Sequence, residues 1–303
     1  MQTYRNLCAV AVMASAGAAV AGPYSDLGIF VYGDYYSTSE VEGRAIIGGN
    51  LNGPSSNYGI KLNPAAYNGV TTLTVGGNMN ANSVQLQAGN ARIGGALNGV
   101  INYNGGGSLV NSAGVVNEIA QMRSIFAGAS ASYAAMGATG SVSLPGSQPS
   151  SVNFTATPGG GGVSVINIDG SDLFSNNNVQ TIGIDMAGSD YVVINVAGTT
   201  IDFTTGGNFA GAFASDSVRS RVLWNFFEAE SIDLRGKAFE GSILATDAFL
   251  SHQGVISGSV FVDSMNSLSE VHLPGFDFNI PAPGGVAALA TVGLVASRRR
   301  RNA

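Results

Sequence analysis

The chain has 303 residues, enough for one large domain or two ordinary ones. Only 11% of them are charged and 45% are hydrophobic, which excludes a disordered polyelectrolyte. Glycine, at 43 residues, has about twice its usual share, and with abundant Asn and Ser this is the composition of an all-β chain with many turns.

The first 22 residues read MQTYRNLCAVAVMASAGAAVAG. Arg5 is a positive region, residues 7–18 are apolar, and Ala19-Val20-Ala21 is a small-residue cleavage site. That is the layout of a secretory signal peptide, so residues 1–21 are expected to be removed. Cys8, the one cysteine, falls inside it. The exported protein is therefore expected to have no disulfide and to depend on its size and core.

The body opens with a strand and turn at residues 27–35. A six-residue ending then occurs three times: Ile47-Gly48-Gly49-Asn50-Leu51-Asn52, Val75-Gly76-Gly77-Asn78-Met79-Asn80 and Ile93-Gly94-Gly95-Ala96-Leu97-Asn98. Spacings of 28 and 18 residues match the coil length of a solenoid. The glycine pair is expected to take positive φ at a coil corner. Asparagines at equivalent corners are expected to hydrogen-bond up the stack.

At 112–136 the period changes. Val115, Ile119, Met122 and Phe126 form a helical stripe, with Ser112 as the expected cap. One amphipathic helix is expected, packed on the flank of the β body. Residues 141–162 read as loop, with Pro145, Pro149, Pro158 and a glycine run. Short β-branched runs resume at 163–168, 181–185, 191–196 and 200–203.

The stretch 221–247 holds the only tryptophan, Trp224, in the apolar run 222–227. Strand-like runs follow at 231–235 and 242–245, punctuated by Gly236 and Gly241. A further run, 255–262, follows Ser251-His252-Gln253-Gly254. Strand follows turn with no room for crossover helices. The expected fold is all-β, a parallel β-helix (β-solenoid) with one flanking amphipathic α-helix, and residues 22–280 are expected to form one domain.

Residues 281–303 form a second address. Pro281-Ala282-Pro283-Gly284-Gly285 leads into a mostly apolar stretch, 286–296, followed by Arg298, Arg299, Arg300 and Arg301. As a helix the apolar stretch would reach roughly 17 Å, short of a hydrocarbon core about 30 Å thick. The arginines would stay on the cytoplasmic face. The arrangement resembles the PEP-CTERM class of bacterial sorting tails, which usually have Glu where this chain has Ala282. The resemblance implies a processing protease at the membrane as a partner. Without both ends, 8 Lys+Arg against 19 Asp+Glu leave the body at −11, which argues against a nucleic-acid partner.

Catalytic motifs are sparse. There is no HExxH, GxSxG or phosphate loop. His252 and His272 read as ordinary turn or surface residues. Glu228 and Glu230 are candidate acids of a carbohydrate-cleaving site by proximity alone, on one face if they share a strand. Asp169-Gly170-Ser171-Asp172 offers oxygen ligands for Ca2+, but an Asp-capped turn is the simpler reading, and no cofactor is expected. Thr71, Thr72, Thr74, Thr199, Thr200, Thr204 and Thr205 make no regular ladder of the kind an ice-binding face needs.

The residues also carry a family resemblance. Phe30-Val31-Tyr32-Gly33-Asp34-Tyr35, Val41-Glu42-Gly43-Arg44-Ala45 and Gly48-Gly49-Asn50 resemble the opening of the choice-of-anchor A domain of bacterial surface proteins. Leu223-Trp224-Asn225-Phe226, Phe239-Glu240-Gly241-Ser242-Ile243-Leu244-Ala245, 254–258 and Glu270-Val271-His272 agree with it. The family often has Pro where this chain has Phe227 and Thr246. The resemblance implies a β-helical adhesive surface module in which Gly43, Gly48, Gly49, Asn50, Trp224, Asn225, Gly241 and Ala245 are structural, and it brings no catalytic residues. The expectation is a secreted, surface-anchored, non-enzymatic adhesion or matrix module. Its partner would be an extracellular glycan or matrix component. The alternatives are a carbohydrate-active β-helix enzyme or an ice-binding protein.

Overall fold

The computed structural model describes residues 24–276. The expected signal with Ala19 and Ala21, and the tail with Pro281, Pro283, Gly284, Gly285 and the four arginines, lie outside the described residues.

Alternating β-branched and small residues interrupted by glycine corners give short strands, up to three to a coil. Arg44–Ile47, Leu51–Asn52 and Ser55–Tyr58 form one coil. Thr71–Val75, the bridge residue Met79 and Ser83–Leu86 repeat it, and Asn90–Ile93, Leu97 and Val100–Tyr103 repeat it again. Each segment pairs in parallel with its equivalent in the next coil. The result is a three-sided parallel β-helix, as expected.

The order of the rungs is not the order of the sequence. The first strand, Leu27–Val31, sits in the middle of the stack. On one flank lie Arg44–Ile47, Thr71–Val75 and Asn90–Ile93. On the other lie Val260–Ser267, Ser242–His252, Val222–Asn225, Tyr191–Ala197 and Val163–Asp169. The chain therefore builds one half outward from the centre, crosses to the far end, and builds back until Val260–Ser267 pairs with Leu27–Val31.

The crossing is made by the helix Val115–Ala134. Val115, Ile119, Phe126, Ala129 and Tyr133 bury against the outward residues Phe30, Val193, Leu223, Leu244 and Phe261. Met122 of the expected stripe packs partly buried beside them. The helix starts after Gly114, in the left-handed conformation, so Ser112 is not its cap. Instead Asn111 Oδ1 accepts from the Ala113 amide at 2.8 Å, closing a local turn.

The glycine pairs act differently from the expectation. Gly48, Gly49, Gly76, Gly77, Gly94 and Gly95 are absent from the positive-φ backbone. They are required by close approach. A Cβ at Gly77 would lie 2.6 Å from Gly49 O, and one at Gly95 2.7 Å from Gly77 O. Cβ atoms at Gly76 and Gly94 would clash with the carbonyl oxygens of Gly48 and Gly76, and Ile119 and Val115 of the helix press on the same row. Gly241 is the case where positive φ does operate: φ is 98°, and a Cβ would sit 2.9 Å from Trp224 Nε1.

Residues 141–162 are not simply loop. Ser141–Ser143 and Ser150–Thr155 pair antiparallel, and Ser150–Thr155 continues a four-stranded sheet with Val179–Asp185 and Asn208–Phe209. Polar alternation with only Val152 and Phe154 facing inward hid these strands. Thr139, Gly140 and Gly159 satisfy the outer edge of Val163–Asp169, with bonds of 2.8–3.1 Å to Val163 and Val165. The first half of that edge strand is thereby closed.

Candidate functional site

Of the three sides, the first is covered by the helix. The second runs open along the whole stack. Its outward positions form two rows. One reads Thr200, Ser231, Phe249, Ser264, Asp34, Asn50 and Asn78. The other reads Asp202, Asp233, Ser251, Asn266, Tyr36, Asn52, Asn80 and Asn98. Small polar residues keep this side flat. Phe249 and Tyr36 stand out from it, 45% and 42% exposed. They are two rungs apart, roughly 9.5 Å along the stack at about 4.8 Å per strand.

Hydrogen bonds along the rows fix the polar side chains. Asp34 Oδ1 accepts from the Asn50 amide at 2.7 Å, Asn50 Oδ1 from the Asn78 amide at 2.9 Å, and Asn78 Oδ1 from the Ala96 amide at 2.8 Å. In the neighbouring row Asn80 Nδ2 donates to Asn52 Oδ1 at 3.0 Å, and Asn98 Nδ2 to Asn80 Oδ1 at 2.8 Å. The carboxylates on this side are held too. Arg235 donates to both oxygens of Asp202 at 2.5 Å and keeps that carboxyl below its usual range. Asp233 Oδ1 accepts from the Arg235 amide and from Ser251 Oγ, each at 2.9 Å. Side chains fixed by their neighbours have little conformational entropy left to lose, so the polar groups of this side are pre-organised.

A second, buried ladder ties the helix down. Asn225 Nδ2 donates to Asn195 Oδ1 and to Ser130 O, both at 2.9 Å, and its Oδ1 accepts from Ser130 Oγ at 2.6 Å. Asn195 Nδ2 continues to Asn167 Oδ1 at 3.1 Å and to Tyr133 O at 2.9 Å. Beside this ladder lies a cleft of about 330 Å³ lined by Ala134, Asn167, Asp169, Asn195 and Phe227 among others.

The structure separates the candidate chemical residues. Glu228 and Glu230 lie between strands Val222–Asn225 and Ser231–Asp233, not on one strand. Glu228 accepts from the Gly198 amide at 2.7 Å, an adjacent corner. His252 is neither in a turn nor at the surface. It ends the strand Ser242–His252, 1% exposed, with Nδ1 2.8 Å from Gly254 O and Nε2 2.8 Å from Ser267 Oγ. Burial lowers its pKa. His272 is half-buried, 2.5 Å from Glu270 Oε2. Asp169 caps the short helix Gly170–Phe174, accepting from the Ser171 amide at 2.8 Å. No cluster of three metal-binding side chains occurs among the described residues. Thr72, Thr74 and Thr205 are buried, and Thr199, Thr200 and Thr204 reach solvent around the second side without forming a row.

The family-motif residues lie in the frame. Trp224 is fully buried with its Nε1 donating to Glu240 O at 3.0 Å, and Asn225 and Ala245 are buried as well. A Cβ at Gly43 would collide with Asp26 O. What sequence reasoning missed was the second side. Tyr36 and Phe249 come from opposite parts of the chain, and only the rung order brings them together.

A family model described as "Putative Ice-binding-like adhesive domain" matches residues 20–273. Among solved structures, an ice-binding protein from an Antarctic biological consortium is similar over 89% of this chain and 95% of its own, at 13% identity and a TM-score of 0.40. One from the ascomycete Antarctomyces psychrotrophicus covers 82% and 94%, at 14% identity and 0.37. The Shewanella frigidimarina ice-binding protein domain covers 85% and 98%, at 11% and 0.33. None of the curated proteins matches this sequence.

Proposed function

The chain belongs to the ice-binding-like adhesive domain family, and from that premise we propose that it is a non-enzymatic adhesion module that grips an extended extracellular glycan along its second side. The observation that carries this reading is the flat, hydrogen-bonded polar surface with Tyr36 and Phe249 raised from it. Aromatic faces stack on the apolar faces of sugar rings, and amides and carboxylates fixed by their neighbours meet the hydroxyls. The test is a binding screen on soluble and insoluble polysaccharides. Tyr36→Ala with Phe249→Ala should weaken a hit at least tenfold without changing stability much. Unchanged binding by the double variant overturns the assignment to this side. Hydrolysis of a polysaccharide that Glu228→Gln with Glu230→Gln abolishes would overturn the non-enzymatic reading.

Delivery completes the proposal. The choice-of-anchor A resemblance, the signal-like residues 1–21 and the PEP-CTERM-like residues 281–303 support export, a pause in the inner membrane and cleavage near residues 281–285. The body, residues 22–280, would then act at the cell surface or in the matrix. Mass spectrometry should find a mature C-terminus there; one at Ala303 removes the sorting step.

Ice binding is a second reading, favoured by the family's description and by the regular rows of Asn50, Asn78 and Asn52, Asn80, Asn98. Inhibition of ice recrystallisation by the purified protein, lost on Asn80→Tyr, would support it over the glycan.

A further inference from the structure

The two ends of the stack differ. At one end, residues 139–162 close the edge of Val163–Asp169 at Val163 and Val165. At the other end no further coil lies above Leu97, Val100–Tyr103 and Leu109 among the described residues. Leu97 continues the interior column of Leu51 and Met79, both fully buried, yet it is 43% exposed. Leu109 continues the column of Leu73 and Ala91 and is 50% exposed. Val100, on the outward face of the outermost strand, is 58% exposed, and Val116, in the first turn of the helix that leaves this end, is 61% exposed. Four of the eight exposed large hydrophobics among the described residues are thus gathered at one end. The core is cut open there rather than finished with polar residues, as a solenoid terminus usually is.

Polar groups at this end are also incomplete. Val100–Tyr103 is the outermost strand of its seven-stranded sheet, and its far edge has no partner strand among the described residues. Asn98, Asn102 and Asn104 all donate downward, to Asn80, Ser83 and Gln85, so their carbonyl oxygens end the ladders facing outward. Tyr103 Oη is shielded from solvent without a hydrogen-bond partner.

Charge decides what fits. No charged residue occurs between Arg92 and Glu118, and these two pair with each other at 2.6 Å. The rest of the body is strongly acidic, so most of its surface repels a second copy. This end does not. A bare β-edge with apolar flanks is a template for another strand.

We propose that this end is a self-association surface, where two copies meet end to end about a twofold axis. The two Val100–Tyr103 strands pair antiparallel and join the third-side sheets into one. Leu97, Ile101 and Leu109 cover their counterparts. Because the surface pairs with itself about the twofold axis, association stops at the dimer. This holds whatever the second side binds.

Sedimentation of the full chain over about 1–200 μM, the range of a small interface, should show the mass doubling with concentration. Val100→Asp, at an exposed position, places two like charges across the axis and should weaken association at least tenfold. Leu268→Asp, an equally exposed apolar residue elsewhere, should leave it unchanged. Backbone amides of 100–103 should exchange quickly with deuterium in dilute protein and slowly in concentrated protein. A monomer throughout, a dimer indifferent to Val100→Asp, association lost equally with Leu268→Asp, or open-ended filaments would each overturn the proposal. So would an edge already protected in the dilute monomer, because another segment of the same chain would then cover it.

Discussion

The coils between Arg44 and Tyr103 enclose mostly aliphatic side chains, among them Ala45, Ile47, Leu51, Val75, Met79 and Ala91, with Tyr58 as a fully buried ring. The half of the stack between Ser150 and Val262 encloses Trp224 and six buried phenylalanines: Phe154, Phe174, Phe203, Phe213, Phe226 and Phe239. In the first half the backbones nearly touch at the Gly48–Gly76–Gly94 row, and each coil can copy the last. In the second half rings meet edge to face, as Phe154 and Phe239 do on Trp224 with centroids 5.5 Å apart. Coils there differ in length and path, and bulky rings fill what a repeat would not. One half is specified by backbone fit, the other by side-chain packing, and they should fail differently.

The largest expected effect tests the packed half. Trp224→Ala removes the ring at the centre of that cluster and should cost about 3–5 kcal/mol in chemical denaturation. The wild-type indole should emit as a buried fluorophore. A cost below about 1 kcal/mol would mean that the ring cluster does not hold this half together.

The fitted half should break by addition rather than removal. Gly76→Ala places a methyl against Gly48 O and Ile119, so the rung or the helix must shift. A loss of about 1–3 kcal/mol is expected, with the helix end near Val115 becoming more exchange-labile. Gly128→Ala, on the helix where a Cβ meets nothing within 4 Å, should instead be neutral or stabilising. Equal costs for both substitutions would remove the argument from close approach.

Much of this was legible in the sequence, and the gaps have physical causes. The Gly-Gly-Asn repeat gave the coil and its asparagine ladders because a repeat that touches itself must reuse the same residues. It misled about φ, since glycine is equally needed for strained dihedrals and for missing volume. The helix was visible in the stripe from Val115 to Phe126, but its cap was not, because Asn111 and Gly114 compete with Ser112 for the turn. Ser150–Thr155 was missed because a mostly polar strand reads as loop. The central place of Leu27–Val31 was not readable at all. Parallel pairing between Leu27–Val31 and Val260–Ser267, over 200 residues away, leaves no local periodicity. The second side depends on that order, so it stayed hidden as well.

A smaller effect probes the junction between the halves. His252 sits on Ser267, which pairs across the stack with Ser37 of the first half. Burial lowers the folded-state pKa of His252 below its ordinary 6.5. The unfolded chain therefore takes up the proton first as pH falls, and stability should drop as pH goes below about 6.5. His252→Gln should flatten this slope in urea midpoints taken between pH 5 and pH 8. A slope unchanged in the variant would assign the dependence to another group.

The smallest effect lies on the exposed ladder of the fitted half. Asn80 donates to Asn52 and accepts from Asn98. Asn80→Asp keeps the acceptor for Asn98 but sets a carboxylate against Asn52 Oδ1, so two acceptors face each other. At neutral pH this should cost under about 1 kcal/mol, because both groups are near water. Protonation restores a donor, so the folded state holds the proton more tightly than the unfolded one. The deficit relative to wild type should therefore shrink as pH falls through the carboxylate range. Asn80→Ser, which has a hydroxyl but cannot charge, should show a small deficit with no such pH dependence. If Asp and Ser variants behave alike at every pH, the asparagine rows are surface decoration, and the stack rests on its backbone and core.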